Sequence, residues 1–325
     1  MKCIKRAKKL FWKKISELVK AHDWDRKAAA KGWFTPKVIV RMDGGLASQM
    51  LFFAVGYAAA QKAGLPLYLD ITWFKKDSQD LKGIQKREFN LFNAFPSIRD
   101  EYSDRLITRK EISPLFMRIF SDSYDERDYT DYCPEAFTGR SMYLDCYYGD
   151  IRYIAHEQAN LRRIMRYGQP LTDEEKRILD DIRSTNSCAV HIRRGDFCGT
   201  IHEVCTEQYY TKAIGRILAL QPDATFYIFT NDEAWSEALL QRLPYETKYV
   251  VLKGRSESNP ITDMQLMQEC KHAIISNSGF SMLPAFLTYS EEKIVIMPEF
   301  WFNGKLKEQS RDIFHMPGWI RQSID

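Results

Sequence analysis

Apolar residues along the chain fall into short, nearly unbroken runs, separated by longer stretches in which they recur at helical spacing. The runs at 37–41, 66–70, 142–144, 188–192, 226–229, 248–252, 273–275 and 294–296 are rich in β-branched and aromatic residues and read as strands. The stretches at 48–63, 206–220, 232–243, 262–271 and 280–288 read as helices. A strand that is apolar on both faces belongs to a parallel sheet covered by helices on both sides. The expected fold class is therefore α/β, with one Rossmann-like doubly wound sheet in each half and a ligand cleft at the carboxyl ends of the strands. Residues 75–165 show weaker patterning and are expected to be irregular and helical around one strand at 142–144. The expected division is a basic N-terminal segment at 1–35, an α/β domain at 36–165 and a Rossmann-like domain at 166–325.

Length and composition agree with this picture: 325 residues with 45% hydrophobic and 13% aromatic content can bury large cores. Net charge is only +4, yet residues 1–20 hold eight Lys or Arg against the single acid Glu17, so the rest of the chain is net negative by three. Ile4, Phe11, Ile15 and Leu18 fall on one side of a helix in this basic segment, with Lys5, Lys8, Lys9, Lys13 and Lys20 around the rest. Such a segment fits either a solvated, frayed tail or peripheral contact with an anionic membrane. Nucleic acid is not an expected partner, because the basic charge sits at one end without interleaved stacking aromatics. No uninterrupted apolar run is long enough to span a bilayer. Seven scattered cysteines without any Cys-x-x-Cys argue against a disulfide framework or a zinc site, and point to a reducing, cytoplasmic setting.

Candidate chemistry gathers in three places. His191, Arg193, Arg194 and Asp196 surround Gly195 at the end of the run 188–192, where an open α/β sheet binds ligand. Two adjacent arginines suit a phosphate, although pairing with Asp196 and another acid to pin the loop would also account for them. Asp263, and then Ser276-Asn277-Ser278-Gly279 after the run 273–275, present small polar groups at a helix start. Gly44-Gly45-Leu46-Ala47-Ser48-Gln49 joins the first strand to the first helix. It matches neither the dinucleotide Gly-x-Gly-x-x-Gly pattern nor a Walker A loop. The one Asp-x-Asp, Asp23-Trp24-Asp25, precedes the first strand and reads as a solvated pair of acids; no metal site is expected.

Three ordered segments, GGLASQMLFFAVGYAAA from Gly44, HIRRGDF from His191 and DMQLMQECKHAIISNSGFS from Asp263, together resemble glycosyltransferase family 11, the inverting alpha-1,2-fucosyltransferases. Phe229-Thr230-Asn231-Asp232 and Pro298-Glu299-Phe300-Trp301-Phe302 also fit, so the resemblance covers about residues 37–305. It implies a GT-B-like fold, a GDP-fucose donor bound by the C-terminal domain, no metal requirement, and a glycan acceptor, typically a terminal galactose, on the N-terminal side. It also implies that Arg193 binds the diphosphate, that Arg194 supports the loop, that Asp263 reads guanine, and that Asn277 and Ser278 hold phosphate or ribose. Gly44, Gly45, Ser48 and Gln49 would join the donor contacts. Asp196, Glu203 and His191 are the candidates for proton acceptor. The chain departs from the family pattern at Ala47-Ser48, where Gly-Asn is usual, and at Met282-Leu283, where tryptophans are usual. These departures leave room for another linkage, or for a nucleotide- or carbohydrate-binding protein without turnover.

Overall fold

A computed structural model describes residues 2–76, 78, 86–122, 132, 137, 139–145, 149–254 and 260–324; the side chains of residues 2–10, 13, 121 and 122 are outside the description. Cys133 and Cys146 lie outside the described residues, and Cys188, Cys198, Cys205 and Cys270 are free thiols. The chain divides into two compact units, Met1–Asn90 with Ile98–Tyr148, and Leu91–Ser97 with Gly149–Asp325.

The first unit is built on five strands, β1 (Val38–Arg41), β2 (Leu67–Asp70), β3 (Leu106–Ile107), β4 (Ser121–Asp122) and β5 (Met142–Leu144), all parallel and ordered β3-β2-β1-β5-β4. Its central helix, Leu46–Ala63, is buried almost without interruption from Gln49 to Ala60 and ends on Gly64, whose φ of 62° supplies the left-handed cap. Gly56 brings this helix onto the sheet: a Cβ there would lie 2.8 Å from Val40 Cγ1 and 3.0 Å from Leu67 Cδ1. Gly56→Val is expected to destabilise the protein by about 1–3 kcal/mol through overpacking, read as a lower denaturant midpoint with unchanged slope.

The second unit has six strands, β6 (Ser187–Ile192), β7 (Thr225–Thr230), β8 (Lys248–Val251), β9 (His272–Ile274), β10 (Val295–Pro298) and β11 (Ile320–Gln322), again all parallel, in the order β11-β10-β9-β6-β7-β8. That is the doubly wound order in which the chain runs outward one way from β6 through β7 to β8 and then the other way from β9. The whole of β6 is buried, as its unbroken apolar run requires. Tyr209 and Tyr210, on helix Glu207–Leu220, fill the core beneath it and donate their hydroxyls to the carbonyls of Ile275 (2.6 Å) and His191 (3.1 Å).

Three expectations need correction. The N-terminal segment is a helix, Lys2–Ala21, docked on helix Pro114–Phe120 with Val19 buried among Phe116 and Phe120, so it is not a solvated tail. Asp25 is not a solvated acid: it pairs with Arg140 at 3.1 Å with its side chain only 4% exposed, while Asp23 pairs with the same arginine and keeps 49% of its side chain in solvent. Residues 149–165, read with the first half, pack with the second unit, where Gln158 Nε2 on helix Gln158–Ile164 donates to the Phe286 carbonyl.

Candidate active site

The strand order of the second unit fixes where a ligand can enter. β6 and β9 are neighbours whose following connections diverge to opposite sides, and the gap above their carboxyl ends is the topological switch point. The segments His191–Asp196 and Ser276–Ser278 emerge on its two sides, so two groups of residues 80 positions apart in sequence meet because of topology.

His191 ties the two together. Its Nδ1 lies 2.8 Å from Ser276 Oγ and 2.9 Å from Ser281 Oγ, and its ring is 4% exposed and packs 5.3 Å from Phe280. Burial, aided by the nearby Arg193 cation, lowers its pKa to about 3. The imidazole is therefore neutral across the working range and poorly suited to accept a proton; its hydrogen bonds make it a spacer that sets the distance between the β6 and β9 loops.

Beyond His191 the two arginines part company. Arg193 pairs through Nη2 with Asp196 at 2.8 Å and lies over the Phe197 ring at 5.6 Å, with 22% of its side chain exposed. Arg194 folds toward the end of β7: its backbone N–H donates to Asn231 Oδ1 at 2.8 Å, its Nε is 3.4 Å from Asp232, and its guanidinium stacks 4.4 Å from the Trp235 ring. Arg194 thus supports the loop, and Arg193 is the cation beside the switch point. Gly195 lets the chain turn between them with φ of 51°, in a place where a Cβ would sit 2.9 Å from Asn231 Nδ2.

Of the β9-side residues, Ser278 caps helix Gly279–Leu287 by accepting from the Phe280 N–H, so this helix directs its positive end to the same gap. Asn277 points inward instead of toward a donor. Its amide donates to the carbonyls of His202 (2.9 Å) and Trp301 (3.0 Å), its Oδ1 receives the Cys205 thiol at 3.5 Å, and it is 3% exposed. Asp263 is 8% exposed on helix Pro260–Glu269. Glu203 accepts from the Gly199 N–H at 2.7 Å and holds the loop that follows Arg193.

In the first unit the switch point lies between β1 and β5. Gly44 (φ 71°) and Gly45 turn the chain into helix Leu46–Ala63 there, and Ser48 sits under Gly44. Gln49, fully buried, spends its side chain on this loop: Nε2 donates to the carbonyls of Gly44 (3.1 Å) and Glu88 (2.8 Å), and Oε1 accepts from the Asn90 N–H (2.8 Å). It shapes the glycine turn and has no amide proton left for a donor.

The same edge holds an acid that the sequence pattern did not single out. Asp43 lies 3.3 Å from Arg41, which binds Asp145 after β5 at 2.8 Å, so three charged groups straddle the first switch point. Withdrawal from water pushes the Asp43 carboxyl above its ordinary range, against the opposing pull of Arg41. Its signal in the sequence was position alone, two residues beyond a buried strand.

Among the described residues no group of three or more His, Cys, Asp or Glu side chains is placed to hold a metal ion, and no helix is long and apolar enough to cross a membrane.

The family model for glycosyl transferase family 11 matches residues 72–323, most of the chain. The chain belongs to this family. Among relatives of this transferase, an alpha-1,2-colitosyltransferase of Escherichia coli is 28% identical over 275 residues, covering 82% of this chain and 92% of that protein. The O-antigen biosynthesis glycosyltransferase WbnK, also of Escherichia coli, is 29% identical over 313 residues, covering 86% and 98%. A similar solved structure is the fucosyltransferase NodZ from Bradyrhizobium, at 14% identity and a TM-score of 0.48 over 78% of this chain and 94% of that one. Membership makes this protein a glycosyltransferase.

Proposed function

We propose that this transferase moves L-fucose from GDP-fucose, with inversion, to the 2-hydroxyl of a glycan acceptor ending in galactose. The observation that carries the reading is Arg193: a partly exposed guanidinium beside a helix N-terminus at the switch point of a doubly wound sheet, where a diphosphate is the ligand of fitting charge and shape. As the bond between the anomeric carbon and the phosphate oxygen breaks, GDP departs with the electron pair, and Arg193 and the helix end neutralise the charge that develops. Arginine supplies this charge in the proposal without a bound metal, and Asp263 reads the guanine. Turnover is expected to survive a chelator unchanged.

The acceptor oxygen attacks from the opposite face and must lose its proton.

A second reading, favoured by the 28% identity to a colitosyltransferase over most of both chains, is transfer of colitose from its GDP ester. Assay of purified protein with GDP-fucose, GDP-colitose and other nucleotide sugars separates the two, and linkage analysis of the product tests the 2-position. The free thiols favour a reducing cytoplasmic setting for the reaction. Failure of GDP to bind would defeat every version of this proposal.

A further inference from the structure

The N-terminal helix buries only one edge of its apolar arc. At about 100° per residue, Leu18, Phe11, Ile15 and Val19 follow one another around roughly 100° of the helix surface. Val19 is buried and Ile15 partly buried in the cluster that includes Phe116 and Phe120. At the other edge Phe11 is 58% and Leu18 45% exposed, and the helix packed alongside, Pro114–Phe120, adds Leu115 at 56%. The chain then continues through Trp24 and Trp33, exposed by 51% and 77%. Isolated apolar residues on a surface mean little. Here, however, five of the ten large hydrophobic side chains exposed among the described residues belong to this one corner of the first unit.

Charge selects what covers them. The first 20 residues carry eight Lys or Arg against Glu17, while the remainder of the chain is net negative by three. Exposed Lys14, Lys20, Arg26, Lys27 and Lys31 extend the positive character along both N-terminal helices. A second copy would bring the same positive charge against itself. Leucine and phenylalanine beside tryptophan and lysine suit the boundary of an anionic bilayer, where tryptophan rests at headgroup depth and lysine meets phosphate.

We infer that helices Lys2–Ala21 and Trp24–Ala30 form a peripheral docking surface for an anionic phospholipid bilayer, entered by Phe11, Leu18 and the two tryptophans. This site is separate from the residues assigned to transfer, so it stands or falls independently of them.

The test is sedimentation of the purified full chain with vesicles of phosphatidylcholine alone, or of phosphatidylcholine mixed with phosphatidylglycerol. The chain should pellet with the mixed vesicles only and return to the supernatant at high salt. The double variant Phe11→Glu, Leu18→Glu should weaken binding on the order of tenfold or more, while its melting temperature and its rate on a soluble acceptor stay unchanged. Wild-type protein that ignores anionic vesicles, or a double variant that binds as well as wild type, overturns the assignment. So does light scattering that finds a dimer dispersed by the same two substitutions, because the face would then belong to a second copy.

Discussion

Arg193→Ala should lower kcat by about 10²–10³ while leaving the melting temperature close to wild type. The magnitude is that of losing one preorganised group aimed at charge that develops in the transition state, and the side chain is placed for it: held by Asp196 at 2.8 Å, braced on Phe197 and 22% exposed. Stability should change little because a partly exposed ion pair contributes little to folding. Arg193→Lys should fall in between, since lysine keeps the charge but loses the planar fork that meets two phosphate oxygens. Asp196→Asn separates the roles. If Arg193 serves only to pin the loop through Asp196, both substitutions should behave alike; if it serves the leaving group, Asp196→Asn should cost far less. Steady-state rates and calorimetric titration with GDP decide between these outcomes, and an Arg193→Ala protein with near wild-type turnover would sink the proposed mechanism.

The second large effect is expected at Asn277, and it should appear first as lost stability. Replacing it with Ala leaves the buried carbonyl of Trp301 without its donor, while the His202 carbonyl keeps the Val204 N–H at 2.8 Å. Such an orphan costs about 1–3 kcal/mol. For a unit of this size that corresponds to a fall in Tm of roughly 3–10 °C, measurable by calorimetry. Asn277→Asp should be nearly as damaging, since it keeps the acceptor and loses both donors. The anchored segment follows directly on Arg193 to Phe197, so turnover measured below the new melting range should drop as well. A Tm equal to that of wild type would mean that the Trp301 carbonyl finds another partner.

Legibility of the fold from sequence tracked how deeply each element is buried. The strands β1, β2, β5, β6, β7, β9 and β10 were readable to within one or two residues because sheets covered on both faces need apolar runs; β8, an exposed edge strand, was readable instead from its β-branched and aromatic residues. β3, β4 and β11 were not: two or three residues at the edge of a sheet carry no periodicity, and their pairing is a long-range property. Helix Asp173–Ser184 lay outside the expected elements even though Thr172 and Glu175 form a capping box that the sequence displays.

The candidate site divides in the same way. That Arg193 and Ser278 share one end of a sheet follows from strand order, and the motifs marked both segments. Which side chains face outward was hidden, because polar residues at strand ends look alike until their partners are known. Asn277 and Gln49 turned out to hold loops, His191 to be a neutral spacer, and Asp43, with no motif around it, to stand at the first switch point.

Arg140 sets a limit on how the protein can be shortened. With 15% of its side chain exposed, it depends on Asp23 and Asp25 for countercharge. A shortened protein starting near residue 31 would strip away both acids and strand a cation in the wall of the first unit. Poor yield from such a truncation would therefore report a broken ion cluster, and point substitutions on the outer helix face are the cleaner way to separate where the enzyme resides from whether it folds.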